Sequence, residues 1–126
     1  MPSESLVKVT LVFNDPELDA EEKDEEVQKL LNQMQKLDEV EEITRVLDSN
    51  PPAGNKALGG FLVGMLTAGV KPENFKTLFG FLSERLKGKP IEIAIKAPDG
   101  RELNIKANNQ AEFEFAFQKA QEFLKS

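Results

Sequence analysis

The hydrophobic positions of this chain follow two periods, one of two residues and one of three to four. In Leu6–Phe13, Val7, Val9, Leu11 and Phe13 share one face and Lys8 and Thr10 the other, the repeat of a half-buried strand. Asn14-Asp15-Pro16 stops that strand. Asp19 and Glu22 then stand at capping-box spacing ahead of Val27, Leu30, Leu31, Met34 and Leu37, which recur at helical intervals. The pattern predicts a first helix of roughly 20 residues. Val40–Leu47 reads as a weaker strand, and the strand–helix–strand order implies a right-handed parallel crossover.

The second half opens with Ser49-Asn50-Pro51-Pro52-Ala53-Gly54-Asn55-Lys56, a turn-rich stretch that makes 48–56 an internal linker and the best candidate for disorder. Ala57–Val70 follows, without charge and apolar all round, with Gly60, Gly64 and Ala68 recurring every fourth position. That spacing predicts a helix whose small-residue edge admits a close neighbour. Pro72 suits the first turn of another helix, in which Phe75, Leu78, Phe79, Leu82 and Leu86 form one stripe, so the two read as a helical hairpin. Ile91, Ile93 and Ile95 alternate with Glu92, Ala94 and Lys96. Pro98-Asp99-Gly100 turns the chain, and Leu103 and Ile105 return between Glu102, Asn104 and Lys106. Asn109 with Glu112 caps a last helix that buries Phe113, Ala116, Phe117, Ala120, Phe123 and Leu124.

The expected order is therefore β-α-β-(αα)-β-β-α in a single domain over residues 1–126. Strands with one polar face predict a two-layer α+β fold: a mixed four-stranded sheet with helices on one face and solvent or a partner on the other. Val9, Leu11, Ile93, Ile95, Leu103 and Ile105 are expected to face the helices.

Composition narrows the function. A chain of 126 residues buries a real core without disulfide or metal, and a net charge of −6 opposes non-specific binding to nucleic acid or to anionic membranes. There is no Cys, His, Trp or Tyr, which removes thiolate chemistry, the commonest general acid–base and the commonest transition-metal ligands. The aromatics are nine Phe, which pack and offer no ring hydrogen bond. Such a vocabulary favours binding over catalysis, with no cofactor. The opening residues lack the basic start and apolar run of a secretory signal, and Ala57–Val70 is shorter than the ~20 residues of a spanning helix. The expectation is a cytoplasmic protein.

The candidate chemical sites are weak. The acidic run Glu17–Glu26 offers oxygen ligands for a hard cation, yet carboxylates in a first helical turn also stabilise its positive end. No metal is expected there. Ser83, near Arg85 and Lys87, has the residue types of a Ser–Lys dyad but sits on a polar helix face. No phosphate-cradling glycine motif follows a strand. Surface features say more. A helix apolar all round leaves large side chains for a partner, so Leu58, Phe61, Leu62, Met65 and Leu66 are candidate interface residues. Phe115, off the stripe of its helix, joins them.

The Pro/Gly linker and the uncharged Ala-Leu-Gly-Gly-Phe-Leu-Val segment lead into Phe75–Leu86 with its Arg85/Lys87/Lys89 end. The Ile-Glu-Ile-Ala-Ile-Lys strand, short turn, return strand and final helix complete the order. In these features the chain resembles the effector-associated constant component family of small bacterial proteins. The resemblance implies a non-enzymatic adaptor that partners a protein effector in a bacterial signalling or conflict system, and it supplies no catalytic residues. A second copy of the chain is the other expected partner, and neither nucleic acid nor membrane is expected. Two competing readings are a small-molecule-binding or carboxylate/lysine-based enzyme domain and a membrane-associating module acting through the apolar hairpin.

Overall fold

A computed structural model of the chain describes residues 6–13, 15–47, 61–86 and 89–125. Strand β1 (Val7–Phe13) lies in the middle of the sheet, and its odd-numbered residues Val7, Val9, Leu11 and Phe13 are all buried. Helix α1 (Ala20–Met34) starts at the anticipated cap: the Glu22 N–H donates to Asp19 Oδ1 at 2.8 Å, and the Asp19 N–H donates to Glu22 Oε1 at 3.0 Å. Reciprocal bonds of this kind satisfy two backbone donors that a helix start otherwise leaves open. Val27, Leu30, Leu31 and Met34 form its buried face. Strand β2 (Val40–Leu47) follows.

The next element corrects the sequence expectation. Phe61–Val70 is not a helix but a strand, β3, lying between β2 and β1 and antiparallel to both. Residues 57–60 and the linker at 48–56 lie outside the described residues. Three consequences follow for the expected architecture. There is no helical hairpin in 61–86. Among the described residues the sheet has five strands, not four. It is antiparallel throughout, not mixed, in the order β2-β3-β1-β4-β5. The physical reason is that the open side of β3 carries the uncharged Met65, Thr67 and Gly69 against Leu66, Ala68 and Val70 on its core side, so neither side shows the charged alternation of an ordinary half-exposed strand. Leu66, Ala68 and Val70 enter the core, and Thr67 and Gly69 point to the other side. The crossover is likewise split: β1 and β2 run in one direction, but β3 is inserted between them.

Gly64 makes the insertion feasible. Arg45 stands opposite Leu66 and Leu47 opposite Phe61, so β3 carries extra residues against β2 around position 64. Gly64 has φ 74°, and a Cβ there would sit 3.1 Å from the Phe13 carbonyl oxygen. Left-handed backbone in a bulge beside a carbonyl selects glycine.

After a 3-10 turn at Pro72–Asn74 come α2 (Phe75–Arg85), β4 (Ile91–Lys96), β5 (Glu102–Ala107) and α3 (Gln110–Lys125). The β-α-β-β-α-β run with strand order 2-3-1-4 is that of ferredoxin-like domains. Strand β5 and helix α3 extend it on one side. The α+β class and the helix-facing positions agree with the sequence pattern: Val9, Leu11, Ile93 and Ile95 are buried, and Leu103 and Ile105 pack against the core from edge strand β5. One cluster joins these residues to all three helices, which therefore occupy one face of the sheet. At its centre the Phe79 ring lies 4.6 Å from Phe75, 5.7 Å from Phe113 and 5.3 Å from Phe117, centroid to centroid. The cap of α3 is also as anticipated, with the Glu112 N–H donating to Asn109 Oδ1 at 2.9 Å.

The β4–β5 turn is closed by the Ala97 N–H to the Arg101 carbonyl at 2.8 Å and by the Gly100 N–H to the Ala97 carbonyl at 2.9 Å. Within it the Asp99 carboxyl is held below its ordinary range, chiefly by the backbone N–H of Arg101 and further by that residue's guanidinium. Arg101→Ala removes only the side-chain part. An NMR titration of the Asp99 carboxyl carbon should show a midpoint that rises in the variant yet stays below that of an unstructured aspartate. A full return to the free value would mean that the backbone bond does not persist in solution.

Candidate functional site

The uncovered face of the sheet is a plane five strands wide, ~20 Å at the usual strand spacing. The pairing registers set its side chains in three rows. The middle row runs Thr44, Thr67, Thr10, Ala94, Asn104 from β2 to β5. It is small and uncharged, and the Thr10 and Thr67 hydroxyls hydrogen-bond at 2.9 Å. One flanking row runs Glu42, Gly69, Lys8, Lys96, Glu102. The other holds Met65, Val12, Glu92 and Lys106.

Gly69 shapes the first flanking row. A Cβ at that position would come within 2.8 Å of Glu42 Cγ and 3.2 Å of Leu6 Cδ1. With no side chain there, Glu42 on β2 reaches across β3 to ion-pair with Lys8 on β1. That pair neutralises the β2 side of the face and leaves Glu92, Lys96, Glu102 and Lys106 as the fixed charges of the β4–β5 side. A depression of about 510 Å³ lies among Val12, Glu92, Ala94, Asn104 and Lys106.

Further concavities lie elsewhere among the described residues, one of about 430 Å³ among Pro72, Glu73, Phe75, Lys76, Gln121 and Leu124. Between α1 and the end of α2, Lys29, Arg85, Lys89, Glu26 and Gln33 surround a cleft of about 250 Å³ floored by Phe13, Leu30 and Leu86. Glu26 holds Lys89 at 2.6 Å and Lys29 at 4.0 Å, and the Arg85 guanidinium lies 5.3 Å from the Phe81 ring centroid. Between α2 and α3, Phe79, Gly80, Ser83, Phe113, Glu114 and Phe117 line an apolar notch of about 160 Å³.

The candidate interface residues are not brought together. Leu58 lies outside the described residues. Phe61 and Leu62 enter β3 by their backbone, and their side chains lie outside the described set. Leu66 is fully buried in the core, so its assignment to an interface is wrong: its strand position points it at the helices. Met65, its neighbour, is half-buried on the open sheet face. Phe115 stands 59 % exposed on α3, on the side away from buried Phe113, Ala116 and Ala120, with the Lys119 ammonium 5.3 Å from its ring centroid. It is the exposed large hydrophobic side chain among the described residues.

The polar candidates have structural partners. Ser83 Oγ accepts from Gln110 Nε2 at 3.1 Å, tying α2 to α3, and Lys87 lies outside the described residues. In the acidic run, Asp24 pairs with Arg45 and Glu26 with Lys89. Among the described residues no group of three or more acidic side chains is placed to share a metal ion. No described helix is long and apolar enough to cross a membrane.

The polar alternates of β4 and β5 were visible in the sequence as the outer face of a hairpin. What the sequence lacked was their register against β1 and β3, which sets Thr10, Thr67, Ala94 and Asn104 in one row. Comparison of the chain with protein-family profiles, with curated proteins and with solved structures finds no match.

Proposed function

We propose that this chain is a non-enzymatic adaptor that binds a protein effector or signalling partner in a bacterial signalling or conflict system, within the cytoplasm. The observation that carries the reading is Phe115, a large aromatic held 59 % exposed on a helix whose other large apolar residues turn inward. Aromatic side chains, Phe included, are enriched at the centres of protein interfaces, and truncating one that acts as a hot spot costs about 2 kcal/mol or more. Lys119 over its ring keeps the surface soluble until the anchor is covered. The resemblance to the effector-associated family and the absence of His, Cys and Tyr from the sequence support the same reading.

The test is a bacterial two-hybrid screen of the chain against the products of its neighbouring genes. An effector protease or signalling ATPase among them should score. Phe115→Glu should weaken that contact by about 30-fold at an unchanged melting temperature, as loss of a hot-spot side chain does. If the variant binds like the wild type, or if the neighbours are metabolic genes whose products do not bind, the reading fails.

A further inference from the structure

We propose that two copies of this chain pair open face to open face, about a two-fold axis that runs across the strands along the Thr10 row. Such an axis leaves every strand above its own copy, running in the opposite direction. It keeps the middle row in place and exchanges the two flanking rows. Each residue two positions before the row on its strand then meets the one two positions after it.

On β4 this sets Lys96 against Glu92 of the partner subunit, and on β5 it sets Glu102 against Lys106 of the partner subunit. The same two contacts repeat on the other side of the axis. Within one sheet Lys96 already stands opposite Glu102, and Glu92 opposite Lys106. The pairing therefore stacks one in-plane pair on the other with signs alternating at all four corners. No charge meets its like. The middle row meets itself, and its Thr, Ala and Asn side chains are small enough for close approach and carry no charge to repel. Lys8, whose charge Glu42 already balances, lays its aliphatic stem against the partner subunit's Val12.

The alternative two-fold axis, along the strands, fails on the same registers. It would stack Lys8 on its own copy and bring Glu42 against Glu102 of the partner subunit. Charge complementarity thus selects both a second copy as occupant and one orientation for it. The surface available is roughly 15 residues a side, below the 20–30 of a standard stable interface. The expected assembly is therefore a concentration-dependent dimer, not a permanent one.

The experiment uses the full chain in sedimentation velocity over a wide concentration range, with a fourfold reversal, Glu92→Lys, Lys96→Glu, Glu102→Lys and Lys106→Glu. The reversal keeps the net charge and both in-sheet pairs. Wild type and reversal should each dimerise with similar constants. Mixed, with one of them fluorescently labelled, they should cross-associate at least about tenfold more weakly than either self-associates, because every facing charge then meets its like. Ala94→Arg, which puts a bulky cation against itself at the axis, should leave a folded monomer. A wild type that is monomeric throughout, a statistical share of mixed dimer, or an Ala94→Arg chain that dimerises normally would each overturn the proposal. A monomeric wild type refutes this pairing and leaves the effector contact at Phe115 standing, since that contact lies on the other layer of the domain.

Discussion

Phe79→Ala is expected to lower the folding free energy by about 3–5 kcal/mol, the usual cost of truncating a fully buried aromatic. Phe79 is 1 % exposed and its ring is the one shared by Phe75, Phe113 and Phe117. Truncating it removes three ring contacts at once. It also opens into the 160 Å³ notch beside Gly80, so the two spaces merge and α2 is left with contacts to α3 such as the Phe75–Phe117 ring pair and the Ser83–Gln110 bond. Relaxation of the surrounding helices fills little of such a space, which is why the loss exceeds simple transfer of a phenyl ring to water. Urea unfolding followed by circular dichroism should show a lower midpoint at unchanged slope, and calorimetry a melting temperature lower by about 10–20 °C. A loss under about 1 kcal/mol would mean that the phenylalanine cluster is not where the helices are fastened.

The second large effect concerns Asp24 and Arg45, which tie α1 to strand β2. The Arg45 side chain is only 9 % exposed, and its guanidinium ion-pairs with Asp24. The pair is part-buried, with the Asp24 side chain 23 % exposed, so removing the carboxylate should cost about 1–2 kcal/mol, between the values for exposed and fully buried pairs. Asp24→Ala should therefore destabilise measurably. The double replacement Asp24→Leu with Arg45→Met should recover most of the loss, ending within about 1 kcal/mol of the wild type, because apolar side chains of similar bulk need no desolvation. Unfolding must be followed in urea, since guanidinium chloride would screen the pair. If Asp24→Ala and the double variant lose equally, the contact acts by shape alone.

The elements that were legible in the sequence share one property: their two sides differ in polarity. Strands β1, β4 and β5 alternate, α1 and α3 carry both a stripe and a cap, and the register of Val9, Leu11, Ile93 and Ile95 toward the helices followed from that alternation. Phe61–Val70 fails the condition. It lies between β2 and β1, its core side holds Leu66, Ala68 and Val70, and its other side holds Met65, Thr67 and Gly69. Gly64 and Ala68 added a false signal, because residues four apart share a face of a strand as surely as they neighbour on a helix. A positive-φ bulge glycine and a core alanine look like a small-residue helix edge until the register is known. Of the candidate surface, Phe115 was legible because it broke the stripe of its own helix. The small-residue row on the sheet was not, because it is assembled from five strands that the sequence does not order.

The central position of β1 also governs how the chain is made. Val9 pairs with Ala68 on one side and with Ile95 on the other, so β1 has both of its neighbours among strands synthesised after it. Helix α1 can form early, and the β4–β5 hairpin closes locally, but β1 cannot gain its second neighbour until Lys96 has left the ribosome. Long-range pairing of this kind belongs to slow-folding topologies: β1 shows two open hydrogen-bonding edges until β3 is made and one until β4 is made, along with an apolar face. The nascent chain therefore carries β1 without its full set of neighbours from its own synthesis until that of β4, the period in which a chaperone has something to hold.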